Sequence, residues 1–111
     1  MDNSGFTRGS TFLFIGTLSL TDAEGTPIDG TGWSISSDIR KLDGELIAPL
    51  VVDWIDPTER RFAAEFDGDT RSWPLGRAKW DLLVTGPLGQ VIYTKTAHLL
   101  IEEGVTHATK V

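Results

Sequence analysis

Residues 11–40, TFLFIGTLSLTDAEGTPIDGTGWSISSDIR, decide the fold. Phe12, Phe14, Gly16, Leu18 and Leu20 fall on one side of an extended chain, and Leu13, Ile15, Thr17 and Ser19 on the other. A period of two with one strongly apolar side is the pattern of a strand that covers a core. The connection that follows holds Asp22, Gly25, Pro27, Asp29, Gly30 and Gly32, which tolerate or fix the unusual φ values of turns. Trp33, Ile35, Ser37 and Ile39 then alternate with Ser34, Ser36 and Asp38. The stretch is a strand, a turn-rich connection and a second strand.

The same grammar runs outward from it. Residues 1–9 read as a flexible polar arm, in which Phe6, framed by Gly5 and Gly9, is free to dock on a partner. Asp43-Gly44 is the strongest hairpin signal in the chain. Pro49 interrupts an apolar run, and a proline cannot donate to a ladder, so the chain is expected to break or change sheets there. Val52 and Trp54 then face one way, and Phe62, Ala64 and Phe66 form another one-sided strand after the turn Asp56-Pro57-Thr58. Residues 67–76, DGDTRSWPLG, are the longest irregular stretch. Ala78, Trp80, Leu82 and Val84 mark a further strand. Residues 91–101 read as one long strand, with Val91, Tyr93, Lys95, Ala97, Leu99 and Ile101 facing one way.

About seven short strands with turn signals between them and no helical period predict an all-β fold, an antiparallel β-sandwich, with a small β-barrel as the alternative. The division is an arm at 1–9, a sandwich domain at 10–104 and a C-terminal strand or tail at 105–111. A chain of 111 residues without cysteine has enough surface to bury for a core that needs no disulfide or metal. Net charge is −6, and the only adjacent basic pairs are Arg40–Lys41 and Arg60–Arg61, so a nucleic-acid footprint is not expected. No run is long and apolar enough for a membrane helix, and the polar N-terminus carries no secretory signal. The expectation is a protein that stays where it is made or leaves as part of a larger particle.

Chemistry is sparse. His98 and His107 are the only imidazoles, and neither sits in an acid–base motif, so both are expected to be structural or solvated. Asp67-Gly68-Asp69-Thr70 resembles the start of a calcium loop, but Arg77 and Ala78 stand where the closing acid belongs, and a turn is the simpler reading. Asp53 and Asp56 form a carboxylate pair of the kind sixteen acidic residues produce by number alone. No catalytic, metal or cofactor site is expected.

Aromatic residues offer more. Trp33 and Trp80 belong to core-like strand faces. Trp54 ends a strand before a turn, and Trp73 lies in the irregular loop between Arg71 and Arg77. Tryptophan and arginine at loops are what interface hot spots are made of, so Trp54, Arg71, Trp73 and Arg77 are the interface candidates. Exposed, coplanar Trp54 and Trp73 would instead make a sugar-stacking platform. A third reading folds a tryptophan back to plug one end of the sandwich.

At Gly9-Ser10-Thr11-Phe12, then TDAEGTPIDGTGWSISSDIR, then Gly76-Arg77-Ala78-Lys79-Trp80-Asp81-Leu82 and TGPLGQV, the chain resembles small phage and prophage proteins. It is similar to the immunoglobulin-like N-terminal domain of phage baseplate upper proteins and related tail-associated proteins, over residues 9–101. It departs from that pattern at Ser10 (usually acidic), Gly30 (usually leucine) and Ala78 (usually tyrosine). The resemblance implies an immunoglobulin-like sandwich and a structural role in a tail or baseplate, without catalytic residues. It implies other virion or tail proteins as partners, a homo-oligomer, and a location in the virion or in the host cytoplasm during assembly. The alternative function is a carbohydrate-binding module built on the exposed tryptophans.

Overall fold

Two long strands change partners part-way along, and this curls one continuous sheet into a sandwich. The computed structural model describes residues 4–104. Its strands are β1 (Ser4–Thr7), β2 (Leu13–Thr17), β3 (Ser34–Lys41), β4 (Leu46–Asp56), β5 (Arg61–Glu65), β6 (Gly76–Trp80), β7 (Leu83–Thr85), β8 (Val91–Tyr93) and β9 (Ala97–Glu102). A single 3-10 turn spans Thr70–Ser72. The fold is an all-β sandwich, as the alternation requires, open along one side.

The order across the sheet is β1-β9-β6-β3-β4-β5-β2, with β7 and β8 branching from β3. The start of β3 pairs with β7 and its end with β6, while β4 pairs first with β3 and then with β5. The change of sheet expected near Pro49 is present: Leu50 is the last partner of β3 and Val51 the first of β5. The chain does not break. Pro49 falls opposite Asp38, just before β5 takes over, where a missing donor disturbs least. Asp43-Gly44 closes the β3–β4 hairpin, with Gly44 at φ 97° and the Lys41 amide bonded to the Glu45 carbonyl.

The core lies between the β9-β6-β3-β4 layer and the β4-β5-β2 layer. Trp80 on β6 meets Phe12 and Phe14 edge-on, at centroid distances of 6.0 and 5.1 Å. Ile39, Ala64, Ala78 and Val84 are almost completely buried around them. These are the faces that period-two reading selected. Trp80 is buried and Trp33 packs against the core half-buried.

Three expectations are corrected. Residues 4–7 are not a flexible arm. They form β1, parallel to β9, and Phe6 is half-buried 5.3 Å from both Phe12 and Trp73. The long strand at 91–101 is two strands, β8 and β9, and the 79–85 strand is likewise split into β6 and β7. Both splits fall at one level, where the Thr94 amide donates to the Leu82 carbonyl and the Leu82 amide donates to Thr94 Oγ1. A side-chain hydroxyl thus takes the place of a ladder carbonyl and releases β8 from the register of β9. On the far side of the split, the Ser37 hydroxyl donates to the Asp81 carbonyl. Among the described residues the strands number nine, where the sequence suggested about seven. The expected tail at 105–111, with His107, lies outside the described residues.

Candidate functional site

The four interface candidates do not come together. Trp73 is 3% exposed: it folds back from the irregular loop and sits among Phe6, Phe12 and Phe66, with ring centroids 5.3, 5.7 and 5.3 Å away. It plugs one end of the sandwich and is removed from the surface. The loop adopts this path because Thr70, itself buried, accepts the Gly9 amide at 2.8 Å and donates to the Ser10 carbonyl at 2.7 Å. Arg8 adds a bond to the Trp73 carbonyl at 3.0 Å and an ion pair with Glu103.

Trp54 belongs to the opposite end of β5. It pairs with Phe62 near the 57–60 turn, is half-buried, and donates its indole N–H to the Trp33 carbonyl at 2.8 Å. The coplanar tryptophan platform is therefore not formed. Arg71 is exposed, but its guanidinium donates to Asp69, from Nε to Oδ1 at 3.1 Å and from Nε and Nη2 to Oδ2 at 2.9 and 2.7 Å. Arg77 is exposed on β6 opposite Leu100.

Asp67-Gly68-Asp69 is turn chemistry. Asp69 caps the 3-10 turn by accepting the Arg71 amide, and the Arg71 side-chain bond, then that amide, hold its carboxyl below the usual value. Asp29 is lowered likewise by the Thr31 hydroxyl and amide. Asp56 accepts from the Glu59 amide at the turn, and Asp53 faces solvent. Among the described residues no three His, Cys, Asp or Glu side chains lie together in a way that could hold a metal. His98 is half-buried on β9 opposite Lys79.

What the structure does assemble is an open side. β2 ends the sheet path at one border and β8 ends the branch at another; among the described residues neither has a second partner. Between them runs an apolar cleft of about 560 Å³, with Phe62, Trp80 and Leu82 as its floor and Phe14 and Tyr93 on its walls. Both borders are apolar outside as well. Leu13 is 55% exposed, Ile15 51% and Tyr93 67%, and Val91 and Ile92 are exposed beside it.

The backbone of β2 is half used. Phe66 donates to the Phe12 carbonyl and Leu18 to the Arg60 carbonyl, at the two ends of the β2–β5 ladder. By the alternation of an antiparallel pair, Phe14 and Gly16 also turn their polar groups to β5, and Leu13, Ile15 and Thr17 turn theirs to the free edge. Composition flags none of these residues as functional. The signal in the sequence is that 13–17, LFIGT, has no charge and no proline, which is legible as unprotected only once the strand is known to be an edge.

No family model matches the chain, and no curated protein matches it. Among solved structures it is similar in shape to CopC from Methylosinus trichosporium OB3b, with a TM-score of 0.53 and 11% identity, over 95% of this chain and 88% of that one. At that identity the similarity is one of fold, and it places this chain among β folds of that shape.

Proposed function

We propose that the protein is a non-enzymatic assembly module that works through protein–protein contacts, in the tail or baseplate of a phage or prophage particle. The observation that carries the first part is the apolar, uncharged border of β2, whose outward N–H and C=O groups and exposed Leu13 and Ile15 form a template for another strand. Support for the particle comes from the sequence resemblance over residues 9–101. The net charge of −6 suits a basic patch on a neighbour. The carbohydrate-binding alternative loses its platform with Trp73 in the core.

The test is the protein content of particles purified after prophage induction in the source strain. The expected result is this chain at a fixed ratio to the tail proteins. Its absence from intact particles would overturn the reading.

A further inference from the structure

We propose that the outer face of the sheet carries a binding site for a neutral sugar ring, where β6 gives way to β7 and β8 to β9. Such a site stands apart from the β2 edge and does not rest on the assembly reading. The two splits border a second cleft, of about 400 Å³, which is within the range of small-ligand sites. β3 contributes Ser36 and Asp38 to its lining, the first split Lys79 and Asp81, and the second Tyr93 and Thr96. Ser36, Asp38, Lys79 and Asp81 alternate with buried Ser37, Ile39, Ala78, Trp80 and Leu82, so they lie on the side of the sheet away from the core. Ser37, whose hydroxyl bonds the Asp81 carbonyl, ties β3 to the split.

The lining selects the ligand. Asp38 and Asp81 balance Arg40 and Lys79, so the cleft has no net charge to draw in a simple anion or cation. Asp38 is already paired with Arg40 at 3.0 Å. Asp81 and Lys79, both half-buried and two residues apart on one face, make no ion pair among the described residues. A carboxylate that only accepts and an ammonium that only donates together suit hydroxyl groups, each of which does both. Ser36 and Thr96 add hydroxyls of their own. Tyr93, 67% exposed, stands opposite Leu83 across the β7–β8 pair and gives the cleft an apolar flank. A pyranose has the matching mixture, with hydroxyls around its edge and C–H bonds on a face that lies against an aromatic ring. A small zwitterion would satisfy Asp81 and Lys79 but leave the Tyr93–Leu83 flank unused. The aromatic-and-carboxylate pairing that Trp54 and Trp73 do not make is thus present at Tyr93.

Amide chemical-shift mapping of the isotope-labelled full chain tests this, with the methyl glycosides of glucose, galactose, mannose and N-acetylglucosamine as probes. At least one is expected to move the amides of Lys79, Asp81 and Tyr93 saturably, with a dissociation constant in the millimolar range. Tyr93→Ala and Asp81→Ala are each expected to weaken that binding roughly tenfold or more. The spectrum away from the cleft reports whether each variant keeps its fold. The proposal is overturned if no glycoside moves these amides in the wild type, or if the shifts fall elsewhere on the molecule. Folded variants that bind as tightly as the wild type overturn it too. Glycine betaine, a zwitterion without hydroxyls, is expected to leave the amides in place, and shifts from it in place of the sugars would overturn the assignment.

Discussion

Gly30 shows how much a single residue decides. It is buried, and a Cβ there would come within 2.8 Å of the Trp54 ring and 2.9 Å of the Pro57 carbonyl oxygen. The backbone oxygen cannot yield, so Gly30→Leu, the residue usual in the phage domains, is expected to cost at least about 2 kcal/mol in urea unfolding. Thr70 works through its hydroxyl. Thr70→Val keeps the shape but leaves the Gly9 amide and Ser10 carbonyl without their partner, a loss of about 1–3 kcal/mol by the same measurement. Trp73→Ala empties the aromatic plug and should cost about 3–5 kcal/mol, far more than an exposed interface tryptophan would. Asp69 sets a pH signature. Its carboxyl is held below the ordinary 3.8 by Arg71, so the stabilisation is complete above 3.8 and is lost as pH falls through the lower folded value. Because the pair is exposed the effect is small, and Asp69→Asn should lower the melting temperature slightly at neutral pH and remove that part of its decline in acid.

At the scale of elements, the inward faces were legible because side-chain alternation is local. Phe12, Leu18 and Leu20, Phe62 and Ala64, and Ala78 to Val84 needed only a period of two, and their burial follows it. Turn chemistry was legible for the same reason, at Gly25 with φ 82° and at Gly44. The breaks were not legible. Residues 79–85 and 91–101 alternate without interruption, and nothing local reveals that the Thr94 hydroxyl will replace a ladder carbonyl. Thr94→Val is therefore expected to lose stability by about 1–3 kcal/mol, because the Leu82 amide is left unpaired. Calorimetry of that variant checks the claim that the break is held by a side chain. Trp73 could be read either way for a related reason: whether a loop aromatic plugs or projects depends on Thr70 and Arg8, which are distant in sequence from what they hold. Arg60 is the converse case, a non-glycine at φ 58° whose guanidinium bonds the Ile28 and Thr58 carbonyls.

At the scale of the whole molecule, the sandwich is closed at one end by aromatic side chains and open along one side. That asymmetry carries the functional account. A free-standing monomer has no use for an uncharged edge with exposed Leu13 and Ile15, whereas an assembling one does. The edge residues stood in the opening stretch of the sequence, yet Leu13, Ile15 and Thr17 were only the outer face of a strand until the sheet order placed β2 last. The measurement that reaches the claim most directly is amide hydrogen exchange at Leu13 and Thr17, compared between the free chain and the chain in purified particles. If the edge is docked, both amides exchange more slowly in the particle than in the free chain, and Phe14 and Gly16, bonded to β5 in either case, do not change. Equal exchange at Leu13 and Thr17 in the two states would contradict a docked β2 edge.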